Sequence, residues 1–318
     1  MDTLPKSVDV AIIGGAAAGL SAALFTARRN LSTVILTKNI GGQLATTVDV
    51  ANYPGIDYVT GPNLALQMHA QAASAGARTV ITEVHTITPP TAPDGPFVVA
   101  TTAGDVTAKA VIIALGKTPR SLDVPGEREL LGKGVSYAAA AELGPYQNKT
   151  VAIVGGGGSA FVALRMASKV AAHAHLIHRN DTFRAETAEI ERLQNATNVT
   201  WHTFSEVTAI NGTHHVEGIV VHNSQTDTDE TVPVDAIFIE IGFMIKPDLF
   251  ANLVELTPQK NIVITNRGET SQPGLFAAGD VTNTPFNQAI ISAGEGARAG
   301  LAAYTYITKK PAGADWGH

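Results

Sequence analysis

The sequence predicts an α/β protein with two Rossmann-like dinucleotide-binding domains, the second inserted into the first. Two Gly-rich turns, at residues 14–19 and 155–160, each follow an apolar strand and precede a helix of small residues. Apolar residues make up 45% of the chain, and 30 of its 318 residues are glycine. This composition is typical of helices that lie close on buried parallel strands. The length suits two domains, at about 100 to 200 residues each.

Composition also argues against several functional classes. The formal net charge is −6 and there is no basic run, whereas nucleic-acid binding needs clustered Lys and Arg. The chain has no cysteine, which excludes disulfides, thiolate metal sites, iron–sulfur clusters and a dithiol active site. Glycines interrupt the apolar stretch Val10–Ala27, so it indicates a strand, a turn and a helix rather than a membrane span or a signal segment. We therefore expect a cytoplasmic protein without a membrane partner.

Each Gly-rich turn belongs to a strand–turn–helix–strand unit. In the first unit we predict a strand at Val8–Ile13, a helix to about Arg29 and a strand at Thr33–Leu36. The second unit has a strand at Thr150–Val154, a helix from Ser159 to about Val170 and a strand at Ala174–Ile177. Further strands are predicted at Phe97–Thr101, Val111–Leu115, Ala236–Ile241 and Leu275–Ala278, with a final helix from Asn287 to about Ile307.

The simplest domain arrangement inserts the second unit into the first. Residues 1–116 and 245–318 would form one discontinuous dinucleotide-binding domain, and residues 117–244 the inserted one. The segments Lys117–Pro119 and Gly242–Pro247 would be the two crossing linkers.

The first turn fits the G-x-G-x-x-G pattern, with alanine at the middle position. Gly14 permits the tight turn, Ala16 is small enough to let the backbone approach a pyrophosphate, and Gly19 lets helix and strand pack closely. The helix N-terminus supplies N–H groups and a favourable dipole for the phosphates. Thr37 and Lys38 stand where an acidic residue would usually hold a ribose hydroxyl, so that contact must be made otherwise.

Four further segments, taken together with the turns, resemble the low-molecular-weight thioredoxin reductases of bacteria over about residues 8–308. These segments are Gly41–Leu44, Asn52–Gly55, Gly132–Tyr137 and Phe276–Val281. The resemblance implies an FAD-dependent oxidoreductase that forms a homodimer. It also implies that residues 1–116 and 245–318 are an FAD-binding domain and that residues 117–244 are an NAD(P)H-binding-like domain.

By this resemblance, several residues would contact FAD. Gln43 and Asn52 would lie near the flavin ring, Asp280 would bind the ribityl chain, and the N–H groups of Gln288 and Ala289 would face the flavin pyrimidine. A helix N-terminus at that place stabilises a reduced, anionic flavin. Asn287 occupies a position where the family usually has Arg. The complete predicted FAD set is Gly14, Ala16, Gly19, Gly42, Gln43, Leu44, Asn52, Val84, Gly116, Gly279, Asp280, Gln288 and Ala289.

The second turn predicts a site for NADPH or another nucleotide. Cations follow its second strand, and Arg179 and Arg184 suit a 2′-phosphate by charge-assisted hydrogen bonds. Asn180 replaces the second of two adjacent arginines in the family pattern. The alternatives are a solvated basic corner, or a pocket that serves a ferredoxin-linked or two-flavin relative. The complete predicted set is Gly155, Gly157, Ser159, Ala160, His178, Arg179 and Arg184.

The redox disulfide of the family is missing. In thioredoxin reductases the segment matching Val135–Tyr137 leads into C-x-x-C, whereas here Ala138 and Ala141 occupy the two cysteine positions. An alanine methyl group can neither contact the flavin as a thiolate nor attack a disulfide. We therefore predict no thioredoxin reduction, and no side chain stands out as a catalytic acid, base or nucleophile.

Three functional interpretations remain open. In the first, FAD passes electrons between NADPH or another donor and a non-disulfide acceptor, either a small molecule or an electron-transfer protein. In the second, the chain is a non-catalytic, two-flavin or ferredoxin-linked flavoprotein with a repurposed nucleotide pocket. In the third, it is a thioredoxin reductase inactivated by Cys→Ala changes at positions 138 and 141.

Two smaller features complete the sequence predictions. Trp316 and His318, in the C-terminal tail, could cover the flavin as an aromatic tail does in some flavin-dependent relatives. His173, His175, His214 and His215 have no metal-ligand spacing, so we expect surface or packing roles for them and no metal site.

Overall fold

A computed structural model describes residues 3–92 and 95–313. The chain divides into two compact units, which take in residues 1–117 with 245–318 (unit 1) and residues 118–244 (unit 2). In chain order the strands are β1 (Ser7–Gly15), β2 (Thr33–Ile40), β3 (Arg78–Ile81), β4 (Val84–Thr88), β5 (Phe97–Thr101), β6 (Gly104–Ile113), β7 (Thr118–Pro119), β8 (Val135–Ser136), β9 (Thr150–Val154), β10 (His173–Ile177), β11 (Val199–His202), β12 (Ser205–Asn211), β13 (Gly218–Asn223), β14 (Thr228–Val232), β15 (Ala236–Ile239), β16 (Phe243–Met244) and β17 (Leu275–Ala277). The α-helices are α1 (Ala17–Ala27), α2 (Gly61–Ser74), α3 (Ala139–Glu142), α4 (Gly158–Val170), α5 (Thr187–Gln194) and α6 (Ala289–Thr308).

Unit 1 is built on a seven-stranded sheet in the order β3-β2-β1-β6-β5-β4, with β17 also paired to β6. The strands β3, β2, β1, β6 and β17 pair in parallel, while β4 and β5 extend the sheet antiparallel. Because both faces are covered there, the buried parts of the central strands, residues 10–13 in β1 and 110–113 in β6, are apolar throughout. In β1, Val10 and Ile12 pack on the α1 side, and Ala11 and Ile13 pack into the core of the opposite face.

Unit 2 repeats the parallel arrangement on a smaller scale. Its five-stranded parallel sheet has the order β11-β10-β9-β15-β8. One face packs against α4 through residues such as Phe161 and Leu164, and the other faces the antiparallel sheet β12-β13-β14. The strands by which the chain enters and leaves the unit, β7 and β16, pair antiparallel with Phe243 opposite Pro119.

The predicted fold class is confirmed, and most predicted elements are present. The strands at Phe97–Thr101 and Thr150–Val154 have the predicted bounds. β6 begins at Gly104, seven residues before the predicted start, because its first half pairs with β5 in a hairpin. The prediction omitted the antiparallel sheet β12-β13-β14. Among the described residues, no helix combines the length and the apolar character that a membrane span requires.

Candidate functional site

The first Gly-rich turn lies tightly between strand and helix. Gly14 has φ +117°, a conformation that glycine adopts without steric strain. A Cβ at Gly14 would collide with the carbonyl oxygen of Ala114, and one at Gly19 would collide with the carbonyl oxygen of Gly14. The turn therefore rests against the end of β6, and α1 starts in direct contact with it. This is the packing that the sequence pattern predicts for the two glycines.

The N-terminus of α1 can donate backbone N–H groups to an anion. Ala16 is the N-cap, no side chain caps the helix, and its first turn has no acidic residue. The first backbone N–H groups of a helix lack partners within the helix, and the dipole there favours negative charge. Gly42, from the short 3-10 helix Gly42–Thr46, lies close by, since a Cβ on it would be 3.3 Å from the Cβ of Ala16. Small residues therefore flank the turn at these positions, and the Thr37 side chain packs against Gly15.

Asp280 lies beside this helix start. Gly279, with φ +81°, follows β17, and a Cβ on it would be 2.9 Å from the Cβ of Ala18. The hydroxyl of Ser292 donates a hydrogen bond to Oδ1 of Asp280 at 3.1 Å. The structure thus brings Gly279 to the first turn of α1 and the predicted ribityl-binding carboxylate, one residue on, to Ser292 of α6.

The sequence analysis missed Glu295, which holds the Asp280 loop in place. Its side chain is buried and accepts hydrogen bonds from the Gly279 N–H at 2.7 Å, from the Thr282 hydroxyl at 3.1 Å and from the Thr284 hydroxyl. A buried carboxylate is tolerated only when such donors satisfy it. The sequence feature that could have identified Glu295 is that it is a single Glu among small residues, in a helix whose buried face is otherwise apolar.

A second group of contacts joins three segments at the N-terminus of α6. The amide of Asn52 donates to Oε1 of Gln288 at 2.9 Å. Lys117 Nζ donates to Oδ1 of Asn287 at 2.8 Å, and the amide of Gln43 donates to the Lys117 carbonyl at 2.6 Å. The predicted residues Gln43, Asn52 and Gln288 therefore surround this helix start. The family's Arg is absent at position 287, but Lys117 places a cation there.

The remaining predicted FAD residues differ in their placement. Leu44 is buried in the core on the α1 side of the sheet, and Ala289 is the first residue of α6. Gly116 has φ +63° and open space where its Cβ would stand. Val84 begins β4, an edge strand, and its side chain packs into the core on the face of the sheet opposite α1.

Together, these residues of unit 1 fit FAD. The uncapped N-terminus of α1 and its small neighbours suit a pyrophosphate, and Asp280 beside it suits sugar-like hydroxyls. The N-terminus of α6 also has no side-chain cap and no acidic residue in its first turn. It can therefore donate N–H groups to an electron-rich ring.

The second Gly-rich turn is also open at its helix end. Gly157 is the N-cap of α4 with no side-chain cap, and nothing lies within 4 Å of a Cβ built on Gly157 or Gly158. The imidazole of His178 packs directly on Gly156 and lies 3.2 Å from the Thr182 carbonyl. Burial lowers the pKa of His178, and the charge of Arg179 lowers it further, so this ring is neutral near pH 7.

The predicted cations lie around this turn. The backbone N–H of Arg184 donates to the carbonyl of Gly156 at 2.8 Å. The segment that contains Arg184 therefore lies alongside the turn. Arg179 follows β10, and both arginines are exposed. Ser159 and Ala160 form the first turn of α4, and Ala160 is buried. The structure therefore brings the predicted nucleotide-binding residues of unit 2 into one region.

The segment with the two alanines keeps an ordered local structure. Ala138 is the N-cap of α3, its N–H donates to the Ser136 hydroxyl at 3.0 Å, and the N–H of Ala141 donates to the Ala138 carbonyl at 3.1 Å. The hydroxyl of Tyr137 donates to Glu127 at 2.8 Å. The two family cysteine positions are therefore adjacent at the start of a short helix, but neither has a sulfur atom.

Two of the four histidines considered in the sequence analysis have a packing role, as expected, because His173 packs against His175 and His175 packs against His202. His175 Nδ1 lies 3.0 Å from Nε2 of His202, and His173 Nε2 lies 2.8 Å from the Thr200 hydroxyl. Burial lowers the pKa of His175 to about 4, and the neighbouring histidines contribute. His214 and His215 are exposed. Within residues 3–92 and 95–313, no group of three or more His, Asp or Glu side chains is arranged to hold a metal ion. Trp316 and His318 lie outside the described residues.

Comparisons with known proteins agree with this geometry. The family model described as pyridine nucleotide-disulphide oxidoreductase matches residues 8–296. The thioredoxin reductase of Mycolicibacterium smegmatis is 35% identical over 98% of this chain and 100% of its own length. The bifunctional thioredoxin reductase/thioredoxin of Mycobacterium leprae is 34% identical over 97% of this chain, which spans 69% of that relative.

A solved structure shows the same similarity. The crystal structure of Lactococcus lactis thioredoxin reductase superimposes with a TM-score of 0.81 at 28% identity, over 95% of this chain and 100% of its own. This chain differs from the C-x-x-C pattern of that enzyme class because it has no cysteine. The chain therefore belongs to the pyridine nucleotide-disulphide oxidoreductase family, as a thioredoxin reductase-like oxidoreductase of the type that uses FAD and NADPH, without the cysteine pair.

Proposed function

We propose that this protein is an FAD-dependent oxidoreductase that passes electrons from NADPH, or another donor, to an acceptor that is not a disulfide. One observation carries the proposal. The FAD-binding features of unit 1 are intact around α1, Asp280 and α6, whereas both positions of the family's redox pair are alanine. The chain thus keeps the means to hold a flavin and lacks the sulfur relay.

Each group of residues in unit 1 would have a defined task. The α1 N-terminus would bind the pyrophosphate, and Asp280 the ribityl hydroxyls, with its loop fixed by Glu295. Gln288 and Ala289 would direct backbone N–H groups at the ring, and Lys117 would add a positive charge near them. FAD, when bound, supplies the electron-transfer chemistry itself.

Electrons would leave the flavin by direct contact with the acceptor. No side chain in the described residues can form the thiolate that a disulfide relay requires. The acceptor classes that fit are oxygen, a quinone or a small electron-transfer protein. We also assign unit 1 as the FAD-binding domain and unit 2 as the NAD(P)H-binding-like domain. The homodimer and the cytoplasmic location remain predictions.

The second nucleotide site supports a rival proposal. Asn180 removes one of the two adjacent cations of the family pattern, which leaves Arg179 and Arg184 beside the turn. A protein with a repurposed pocket, either non-catalytic or served by a ferredoxin or a second flavin, is therefore the second candidate.

Anaerobic mixing with NADPH distinguishes the two candidates. We expect the absorption band of oxidised FAD to bleach rapidly, and more slowly in a variant with Arg179→Ala and Arg184→Ala. Protein that is loaded with FAD but is not bleached by NADPH would favour the repurposed pocket. A colourless preparation that does not take up added FAD would overturn both candidates.

A third candidate, an inactivated thioredoxin reductase, has a separate test. The pair Ala138→Cys and Ala141→Cys restores C-x-x-C at the start of α3. Appearance of NADPH-dependent thioredoxin reduction in this variant would support that candidate. Its absence, with NADPH still bleaching the flavin, would support a different acceptor.

A further inference from the structure

Glu240 lies at the carboxyl end of a strand in the unit 2 sheet. It follows β15 directly, its N–H donates to the Val154 carbonyl at 2.8 Å, and a Cβ on Gly155 would collide with its carbonyl oxygen. The chain connections diverge between β9 and β15, the third and fourth strands in the order of this sheet. In open α/β sheets, ligands bind outside the carboxyl ends of the strands at such a point.

The side chain of Glu240 lies between α3 and the start of α4. Its Oε1 accepts a hydrogen bond from the N–H of Ala139 at 3.4 Å, and the Ser159 side chain interacts with the carboxylate and lowers its pKa. Ser159 is the second residue of α4, where the hydroxyl could otherwise reach a bound phosphate. Burial raises the pKa of Glu240, and these two interactions oppose that rise.

No cation neutralises this carboxylate among the described residues. The titratable groups beside the turn and on the neighbouring helices are Glu142 on α3, His178 packed on Gly156, Arg184 beside Gly157, and Arg165 and Lys169 further along α4. None of them forms an ion pair with Glu240 in the described part of the chain. The carboxylate of Glu240 therefore lies, without an ion-pair partner among these groups, near the helix end that would attract the pyrophosphate of a ligand.

A role in holding a ribose hydroxyl does not explain this position. The carboxylate that binds ribose in dinucleotide folds follows the second strand of the unit, about 20 residues after the turn. Arg179 stands at that point here, after β10. Glu240 follows β15, on the other side of β9, and is directed at the phosphate end of the site.

We propose that Glu240 is an internal anion of the unit 2 dinucleotide site, which competes with the pyrophosphate of a bound dinucleotide for Ser159 and the N-terminus of α4. The proposal depends on the proposed function in one respect, because both assign the Gly-rich turn at residues 155–160 as a dinucleotide site. It names Glu240 as the residue that weakens binding, and dinucleotides as the ligand class affected. The predicted nucleotide site is thus self-inhibited by its own carboxylate.

Calorimetric titration of the FAD-loaded protein with NADP⁺ tests this proposal without any electron transfer. Glu240→Gln keeps the size and removes the charge, so we expect the Kd to fall at least about tenfold, the scale of one unit charge a few ångströms from a phosphate. Glu217→Gln, at an exposed glutamate of the same unit, is the matched control and should leave the Kd unchanged.

A double-mutant cycle tests the role of the Ser159 hydroxyl. Because Glu240 is proposed to hold this hydroxyl, Ser159→Ala should weaken NADP⁺ binding less in the unmodified protein than in a Glu240→Ala background. In the Glu240→Ala background the hydroxyl is free for the ligand, and the same change should weaken binding at least about threefold, a typical coupling between residues in contact. Equal effects of Ser159→Ala in both backgrounds would contradict the competition.

Two results would overturn the proposal. One is a Kd of the Glu240→Gln variant for NADP⁺ that equals or exceeds the Kd of the unmodified protein. The other is that neither the variant nor the unmodified protein binds NADP⁺. FAD content and flavin bleaching by NADPH, measured on the same samples, keep the proposed function separate. Bleaching with an unchanged Kd refutes only the role of Glu240, and tighter NADP⁺ binding without bleaching refutes only NADPH as the donor.

Discussion

The amide of Asn52 and the side-chain carbonyl of Gln288 are hydrogen-bonded at 2.9 Å, although 236 positions separate them in the chain. The contact ties the loop before α2 to the N-cap of α6. It places two polar side chains beside the helix start at which the flavin ring is proposed to bind.

Replacing Asn52 should therefore weaken FAD binding. Asn52→Leu removes the hydrogen bond and leaves the carbonyl of Gln288 without this donor, so we expect the Kd for FAD to rise about tenfold, as for one lost polar contact in a binding site. The measurement is the FAD content retained after dialysis, followed by titration of the apoprotein with FAD. Asn63→Leu, on the exposed side of α2, is the control, and equal FAD loss in both variants would contradict a specific role.

The buried carboxylate of Glu295 should be required for the stability of unit 1. Glu295→Ala leaves the buried N–H of Gly279 without an acceptor and removes two hydroxyl contacts, so we expect a loss of about 3 kcal/mol in the free energy of unfolding. Glu295→Gln keeps one acceptor oxygen and should lose less.

Urea unfolding measures this effect, and FAD titration of each variant reports on the Asp280 loop. The exposed Glu255→Ala is the control and should unfold like the unmodified protein. A Glu295→Ala variant of unchanged stability would show that the Asp280 loop holds its position without this carboxylate.

Arg179 and Arg184 should determine a preference for NADPH over NADH. Charge-assisted hydrogen bonds to a 2′-phosphate are stronger than neutral ones, so Arg179→Ala with Arg184→Ala should reduce the ratio of the two affinities at least about tenfold. Titration with NADP⁺ and NAD⁺ gives the ratio. Arg192→Ala, at an arginine of α5 near Glu189, is the control. A preference that survives the double substitution would place the 2′-phosphate elsewhere.

Stability should fall between pH 6.5 and pH 4 because of His175. Its pKa is about 4 in the folded protein, below the ordinary value of 6.5. Above pH 6.5 the ring is neutral in the folded and in the unfolded protein, so it does not change the free energy of unfolding. As the pH falls toward 4, the unfolded chain binds a proton that the folded protein resists, and stability declines. Urea midpoints at pH 7 and pH 5 should differ less in His175→Asn than in the unmodified protein or in His214→Asn, and equal differences would argue against this role.

Local sequence patterns account for the parts of the site that are defined within a few residues. The Gly14 and Gly155 turns, the strands before them and the helices after them depend on short-range sterics, which residue order reveals. Asp280 and the Asn52 segment were identified by resemblance, and the structure places both around the helix starts of unit 1. Val84 packs on the face of the sheet opposite α1, which the sequence could not indicate.

The sequence by itself determined that the chain contains two dinucleotide folds and has no sulfur relay, because glycine spacing and the absence of cysteine are properties of residue order. Only the tertiary structure decided the roles of Glu295, Glu240 and the His175–His202 pair. A glutamate or histidine carries no local signal of its partner, since its protonation and its hydrogen bonds depend on which distant groups share its surroundings. Those groups meet only after strands and helices have packed.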